Sequence, residues 1–151
     1  MDTEKLIKLL KEHKVKFVII GATAFPVHGY SRATLDIDIF IKPDRQNAER
    51  TWSALKEFRY DMTDVTPEEL LTKKILIRQY ALETDIHPFV SGTTFEEVWK
   101  NKVKAKFGDT FVWFASLDDL IRIKQAAGRS KDLEDLKFLN RLKAKTKKSG
   151  R

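Results

Sequence analysis

Three aspartates in strand-like apolar segments are the residues best suited to chemistry. Asp36 and Asp38 alternate with isoleucine in the segment Leu35–Ile41, and Asp85 lies in a second β-like stretch, Leu82–Val90. Consecutive same-face residues of a strand are about 6.6–7 Å apart, so the paired carboxylates can lean toward shared cations. Oxygen ligands suit Mg²⁺, and two ions about 3.5–4 Å apart serve phosphoryl chemistry. The alternative is an exposed strand face on which the aspartates are hydrated.

A glycine turn lies where it could complete such a site. Gly21 ends the apolar segment 16–20 and opens a short helical or turn segment over about 22–29. Backbone N–H groups in this arrangement can approach a phosphate. Three acids on neighbouring strands that face a glycine turn therefore favour a metal and phosphate site over hydrated side chains on an exposed surface.

The elements that must position these residues mix helix and strand without a regular βαβ repeat. Helices are predicted over about 4–13, 45–58, 67–71, 94–100, 117–127 and 130–142. Strands are predicted over about 16–20, 35–41, 74–80, 82–90, 103–107 and 111–114. The pattern favours an α/β (α+β) fold with a mixed, mostly antiparallel sheet, flanking helices and a C-terminal helical pair.

Polar and glycine residues mark the predicted helix ends, and side-chain spacing marks the buried faces. The predicted caps are Asp44, Thr93 or Thr94, Ser116 and Ser130, with Gly128 as a C-terminal stop. The core-facing residues predicted for the strand of the aspartate pair are Leu35, Ile37, Ile39 and Ile41. Those predicted for the last helix are Leu133, Leu136, Leu139 and Leu142. Trp52, Trp99 and Trp113 are expected to pack in the core or at its edge.

Composition indicates one globular domain. The chain has 151 residues, of which 42% are hydrophobic and 34% charged. No apolar run approaches the roughly 18–20 residues that a membrane span needs, and the N-terminus lacks the apolar core of a signal peptide. The sequence contains no cysteine, which excludes disulfides and thiolate metal sites. We expect a cytoplasmic protein that does not enter a membrane.

The formal net charge of +7 comes mostly from the C-terminus. Five basic residues and no acid lie within 143–151: Lys143, Lys145, Lys147, Lys148 and Arg151. We therefore predict a single domain over 1–142 and a basic flexible tail over 143–151. Such a tail is usually solvated and mobile, and a weak contact with nucleic acid is the alternative.

The motifs around the aspartates resemble a known superfamily. Gly21-Ala22-Thr23-Ala24, followed by His28-Gly29-Tyr30-Ser31-Arg32-Ala33-Thr34-Leu35-Asp36-Ile37-Asp38, resembles the signature of DNA polymerase β-type nucleotidyltransferases. This version is similar to that of minimal bacterial nucleotidyltransferases related to the AbiEii toxin group. Thr84-Asp85-Ile86-His87-Pro88 resembles the third-carboxylate strand, and lincosamide nucleotidyltransferases carry a similar Asp-Ile-His-Pro. The segments 92–102 and 117–139 also resemble the bacterial group, so the resemblance covers nearly all of the chain except the tail.

The resemblance implies a role for each motif. Gly21 and Ala22 would contact the triphosphate of an NTP, and Asp36 and Asp38 would bind metal. Asp85 would bind the catalytic metal and help to deprotonate the acceptor hydroxyl. The implied reaction, with two Mg²⁺ or Mn²⁺ ions, is in-line attack on the α-phosphate with release of pyrophosphate.

Further residues are nucleotide-binding candidates, each with a plainer alternative. The additional candidates are Arg32, Thr34, Lys124, Arg129 and Lys131. Arg32 could reach a phosphate or could neutralise the aspartate pair without metal. The three basic residues from the last two helices could contact nucleotide or could be solvated charges near helix ends.

The two histidines of the motifs do not suggest zinc, because no third ligand occurs at suitable spacing. His28 is expected to pack or to bond locally, and His87 to orient Asp85.

Ala22 departs from the superfamily pattern, which usually has glycine or serine at this position. The backbone N–H remains, so we expect weakened nucleotide binding, and a catalytically weak or inactive member is the alternative. Such a member would act as a nucleotide-binding regulatory partner, for instance in a toxin–antitoxin pair. A third reading is an RNA-binding module that uses its tail. For the enzyme, the acceptor is open between a small molecule such as an antibiotic, tRNA and a protein, and a homodimer could complete the cleft.

Overall fold

The computed structural model describes residues 3–148 as an α/β fold built on one mixed sheet. The helices are α1 (Thr3–Glu12), α2 (Arg45–Glu57), α3 (Glu69–Thr72), α4 (Phe95–Lys100), α5 (Leu117–Ala127) and α6 (Ser130–Lys148). The strands are β1 (Phe17–Ile20), β2 (Asp36–Ile41), β3 (Ile75–Ile77), β4 (Glu83–His87), β5 (Val103–Phe107) and β6 (Thr110–Phe114). A 3-10 helix, Gly21–His28, connects β1 to β2.

The six strands lie in the order β3-β4-β2-β1-β6-β5. Strands β1 and β2, β3 and β4, and β5 and β6 pair antiparallel. Strands β2 and β4, and β1 and β6, pair parallel. The predicted fold class is confirmed, because the sheet is mixed with more antiparallel than parallel pairs.

Strand β2 has one fully buried face and one face on which Asp36 and Asp38 are partly exposed. Ile37, Ile39 and Ile41 are completely buried, as their alternation predicts. On the opposite face Phe40 is also buried, and its ring packs edge-on against Phe95 of α4 at 5.3 Å between centroids. Helix α4 therefore covers the end of β2. The predicted burial of Leu35 is wrong, since this residue precedes the first paired position of β2 and is 73% exposed.

Local capping signals set the helix ends. The Asp44 carboxylate accepts a hydrogen bond from the backbone N–H of Asn47 at 2.8 Å, which starts α2. The Thr94 hydroxyl accepts one from the N–H of Glu97 at 3.2 Å, which starts α4. Gly128 ends α5 in the left-handed conformation with φ +63°. These features confirm the predicted starts of α2 and α4 and the predicted end of α5.

The C-terminal helices α5 and α6 pack against each other. The buried face of α6 contains Asp132, Asp135, Leu136 and Leu139. The predicted burial of Leu133 is wrong, because the two aspartates take the positions nearest the core and leave Leu133 54% exposed.

The predicted tail begins inside a helix. Helix α6 continues through Lys148, and the Lys143 ammonium pairs with Asp118 of α5 at 3.0 Å. The remaining residues of the predicted tail, 149–151, lie outside the described range, so the division into domain and flexible tail stays a prediction. Among the helices within 3–148, none is both long and apolar enough to cross a membrane.

Candidate active site

The parallel pairing of β2 with β4 brings the three predicted acids onto one face. Asp38 is the register partner of Asp85, and Asp36 is the register partner of Glu83. Register partners in a parallel pair point to the same side of the sheet. Asp85 is 6% exposed, whereas Asp36 and Asp38 are partly exposed. The acids therefore form a cluster whose inner member lies at the edge of the core.

The glycine turn lies directly against this cluster. Ile20, the last residue of β1, is the register partner of Asp38, and the chain then turns at Gly21 with φ +71°. A Cβ atom at Gly21 would collide with the Asp38 carboxylate oxygen Oδ2. Thr23 ties the following 3-10 helix to β2, because its hydroxyl donates to the Asp36 carbonyl at 3.0 Å. Only glycine allows the backbone to approach the carboxylate this closely.

Each of the two central acids has a basic partner. The imidazole Nε2 of His87 is 2.8 Å from Oδ1 of Asp38. The guanidinium Nη1 of Arg78 donates to Oδ1 of Asp85 at 2.7 Å, and the Lys74 ammonium is 4.0 Å from the other oxygen. His87 was expected to orient Asp85, but its ring contacts the acid on the neighbouring strand. The register explains this, since His87 lies beside Phe40 on the face that β2 shares with β4.

Electrostatics keep Asp38 ionised. Burial acts to raise its pKa, but the His87 hydrogen bond and the charges of His87, Lys74 and Lys124 outweigh burial, so the pKa of Asp38 lies below its ordinary value. The neighbouring Glu83 behaves in the opposite way. A side-chain hydrogen bond with Asp36, desolvation and the Asp36 charge raise the pKa of Glu83 above its ordinary value. The edge of the cluster is thus rich in negative charge.

The donor atoms fit a divalent cation. One ligand atom each from Asp38, Asp85 and His87 can lie within 4.8 Å of one another. Two carboxylate oxygens and an imidazole nitrogen are suitable ligands for first-row divalent ions, and carboxylates suit Mg²⁺ and Mn²⁺. Asp36, also predicted as a ligand, lies outside this compact group and next to it on β2.

A basic wall faces the acids from helices α5 and α6. Lys124 pairs with Asp132 at 3.0 Å and with Asp135 at 3.3 Å. Arg129 donates to Asp132 at 2.7 Å. Arg32 binds Asp135 through two parallel hydrogen bonds of 2.8 and 2.9 Å, the strong geometry for a guanidinium and a carboxylate.

Two buried aspartates hold this wall together. Asp132 is 0% and Asp135 2% exposed. Burial acts to raise the pKa of Asp132, but hydrogen bonds from Arg129 and Lys124 lower it to about 2. For Asp135 the hydrogen bonds and charges of Arg32 and Lys124 likewise outweigh burial, and its pKa is lowered. The positions of the basic side chains are therefore fixed by charged hydrogen bonds to buried anchors.

One cleft of about 430 Å³ lies between the acidic strands and the basic helices. All ten residues predicted as site residues line it: Gly21, Ala22, Arg32, Thr34, Asp36, Asp38, Asp85, Lys124, Arg129 and Lys131. The individual side chains differ in what they can offer a ligand. The suggested ion pair of Arg32 with Asp36 or Asp38 is wrong, because Arg32 binds Asp135. Among residues 3–148, Lys131 has no ion-pair partner and is exposed.

Two further residues of the predicted motifs form hydrogen bonds within the protein. The Thr34 hydroxyl accepts from the backbone N–H of Asp36 at 3.1 Å, which supports the start of β2. The His28 ring donates from Nε2 to the Ala115 carbonyl at 2.8 Å. This bond fixes His28 within the fold, but its partner is 87 positions away in the sequence, so it is a tertiary contact and not the expected local one.

Sequence reasoning missed several members of the site. Glu83, Asp85 and His87 alternate on β4 as Asp36 and Asp38 do on β2, and this spacing could have identified Glu83. No comparable signal exists for Arg78, which reaches Asp85 only because β3 folds back beside β4.

A comparison with protein families finds a match over nearly the whole chain. The model of a family described as "Nucleotidyltransferase of unknown function (DUF6036)" matches residues 1–142. A comparison with curated proteins finds none that matches.

Solved structures share the fold at low sequence identity. The lincosamide antibiotic adenylyltransferase LnuA, in a lincomycin-bound crystal structure, is 15% identical with a TM-score of 0.63, over 94% of this chain and 98% of that one. A Thermotoga maritima protein described as a candidate nucleotidyltransferase is 18% identical with a TM-score of 0.62, over 91% of this chain and 90% of that one.

Proposed function

Because this chain belongs to the nucleotidyltransferase family that matches residues 1–142, we propose that it transfers an NMP from an NTP to an acceptor hydroxyl or phosphate. One observation carries the proposal. Asp38 and Asp85 are register partners on parallel strands, directly beside the Gly21 turn and across a cleft from a basic wall. Phosphoryl transfer needs this combination of acids, close backbone and cations.

The proposed reaction is an in-line displacement at the α-phosphorus. The acceptor oxygen forms a bond to phosphorus, the bond to the bridging oxygen breaks, and pyrophosphate leaves. When bound at Asp36, Asp38 and Asp85, two Mg²⁺ or Mn²⁺ ions would neutralise the developing charge on the phosphate oxygens. Asp85 would accept the proton of the acceptor hydroxyl.

The rest of the cleft would hold the triphosphate. Backbone N–H groups at Gly21 and Ala22 lie beside the acids and would donate to phosphate oxygens. Lys131, which has no ion-pair partner within residues 3–148, would reach the terminal phosphates from the opposite side of the cleft, next to the fixed Lys124 and Arg129. Ala22 leaves the backbone donor in place and lacks a side-chain hydroxyl, so we expect modest affinity for nucleotide.

The test is a transfer assay with acceptor classes kept separate. Each α-labelled NTP is offered with Mg²⁺ or Mn²⁺ to lincosamide-type antibiotics, to total tRNA and to protein. The antibiotic arm is motivated by the lincomycin-bound neighbour. The same reactions are run with Asp38→Asn, with Asp85→Asn, and with the exposed control Asp64→Asn.

Transfer by the wild type and by Asp64→Asn, lost in both site variants, supports the proposal and identifies the acceptor class. Each site variant is expected to lower turnover at least about 100-fold, the scale seen when one stabilising group of an active site is removed. Equal transfer by Asp38→Asn and the wild type would contradict it.

A second candidate function is nucleotide binding with little or no turnover, as a regulatory or toxin–antitoxin partner. One observation favours it: Arg78 and His87 occupy carboxylate oxygens that a metal would need. Measurable NTP binding without transfer to any acceptor would select this candidate.

We further infer a cytoplasmic protein. Light scattering that shows only monomers would exclude a homodimer that completes the cleft.

A further inference from the structure

A second groove, separate from the cleft, lies at the β5–β6 end of the sheet. It has a volume of about 460 Å³, and residues lining it include Lys11, Phe17, Trp99, Lys104, Phe111 and Trp113. This set is called the aromatic groove below. Its size is within the range of ligand sites, about 300–1,000 Å³, and none of its lining residues also lines the acidic cleft.

Strand register places the two sites at opposite ends of β1. Asp38 lies beside Ile20, the last residue of β1, whereas Phe17 is the first residue. Three residues of strand correspond to about 10 Å. The aromatic groove is therefore not an extension of the proposed catalytic cleft, and a ligand there would leave that cleft accessible.

The aromatic groove combines ring surfaces from three elements. Trp99 of α4 and Trp113 of β6 meet edge to face at 6.3 Å between centroids. Phe111, two residues before Trp113 on the same strand face, is 46% exposed although it is a large apolar side chain. An exposed ring beside two partly buried ones offers a flat apolar surface on which another ring can stack.

Lysine ammonium groups surround these rings. Lys104 and Lys106 lie 5.0 and 5.5 Å from the centre of the Phe111 ring. Lys102 lies 4.1 Å from the Trp99 ring and 4.6 Å from the Trp113 ring. Within the described part of the chain none of these three lysines forms an ion pair, whereas the nearby Lys8 pairs with Asp109. The positive charge around the groove is thus available to an anionic ligand.

We propose that the aromatic groove binds single-stranded nucleic acid, with a base stacked on Phe111 and the phosphates beside Lys104 and Lys106. Exposed rings with interspersed lysines supply stacking and backbone contacts, the two terms of sequence-tolerant single-strand binding. A second copy of the chain fits poorly, because it would bring lysines against lysines. This inference does not rest on the proposed nucleotidyl transfer.

The test measures fluorescence anisotropy of labelled oligo(U) and oligo(dT) of about 12 nucleotides, a length within the site sizes of single-strand binders. The variants are Phe111→Ala and the pair Lys104→Gln with Lys106→Gln. A matched pair, Lys56→Gln with Lys73→Gln, removes the same charge from exposed positions outside the groove. Circular dichroism checks that each variant is folded, and NTP binding is measured separately.

Binding by the wild type is expected to weaken as salt rises from about 50 to 200 mM. The groove lysine pair should lower the slope of log affinity against log salt by about 1.4, because each single-strand phosphate contact contributes about 0.7. Phe111→Ala should weaken binding about 5- to 150-fold, the measured range for one stacked base. The matched pair should retain the wild-type slope.

Several outcomes would overturn the inference. The first is that the wild type binds neither oligonucleotide. The second is that the two lysine pairs change the salt slope equally. The third is that Phe111→Ala binds the oligonucleotides as tightly as the wild type. Loss of binding only on Lys145→Gln with Lys147→Gln would assign the contact to the basic C-terminus instead. A dimer in light scattering that Phe111→Ala dissociates would assign the groove to self-association. None of these results bears on the nucleotidyl transfer assay, so the two proposals are judged separately.

Discussion

Replacing Asp132 by asparagine should destabilise the protein strongly for a single polar substitution. Asp132 is fully buried and accepts hydrogen bonds from Lys124 and Arg129. These bonds lower its pKa from 3.8 to about 2. Each unit of pKa corresponds to about 1.4 kcal/mol, so ionised Asp132 stabilises the fold at neutral pH by about 2 to 3 kcal/mol.

The pH dependence of this stabilisation has a definite sign. The folded-state pKa is below the unfolded one, so the contribution is complete above pH 3.8 and is lost as pH falls toward 2. At pH 3 about half should remain. In Asp132→Asn the charge is absent at every pH, so the difference in the free energy of unfolding between wild type and variant should shrink as the solution is acidified.

Urea denaturation followed by tryptophan fluorescence at pH 7 and pH 3 measures both effects. The control is Asp118→Asn, which removes an ion pair with Lys143 whose side chains are both about half exposed. Such surface pairs are worth less than about 1 kcal/mol. Two results would refute the assignment of Asp132 as a charged anchor. One is that Asp132→Asn lowers the free energy of unfolding no more than Asp118→Asn does. The other is that it lowers this free energy equally at pH 7 and pH 3.

Three further predictions concern the cleft. Gly21→Ala should abolish NTP binding in calorimetry and lower the free energy of unfolding by about 1–3 kcal/mol. The reason is that the added Cβ, at a residue with positive φ, meets the Asp38 carboxylate. Unchanged NTP binding would contradict this geometry. Arg78→Gln should tighten Mn²⁺ binding several-fold in calorimetry, because it frees a carboxylate oxygen of Asp85, and weaker binding would show that Arg78 supports the site instead. Lys131→Gln should raise the KM for NTP without changing the melting temperature, since the side chain is exposed and has no ion-pair partner within residues 3–148; a lower melting temperature would reveal a structural role.

Much of the fold could be predicted because its signals are local. The Ser116 hydroxyl accepts from the N–H of Asp119 at 3.2 Å, and Gly128 adopts the left-handed conformation that ends α5. Each depends on residues at most a few positions apart, so the sequence pattern contains the whole interaction. The buried alternation of Ile37, Ile39 and Ile41 is likewise a property of one strand.

The sequence predicts which acidic residues form the site better than it predicts which basic residue each of them binds. The acids stood out because carboxylates are costly on an apolar strand unless they are paired or bind a cation. The partner of each one depends on register between strands distant in sequence. Arg78 reaches Asp85, and His87 reaches Asp38, only through the pairing of β4 with its two neighbours. No local periodicity specifies that pairing.

The two walls of the cleft differ in how easily their ion pairs can open. On the sheet side Arg78 is 40% exposed, so its guanidinium can be hydrated once a divalent ion replaces it beside the buried Asp85 carboxylate. On the helix side Asp132 and Asp135 are buried, and separating them from Lys124 would leave uncompensated charge in the core, a loss of several kcal/mol. We therefore infer that ligand binding rearranges the acidic wall, while the basic wall stays in place as the fixed element against which a triphosphate is positioned.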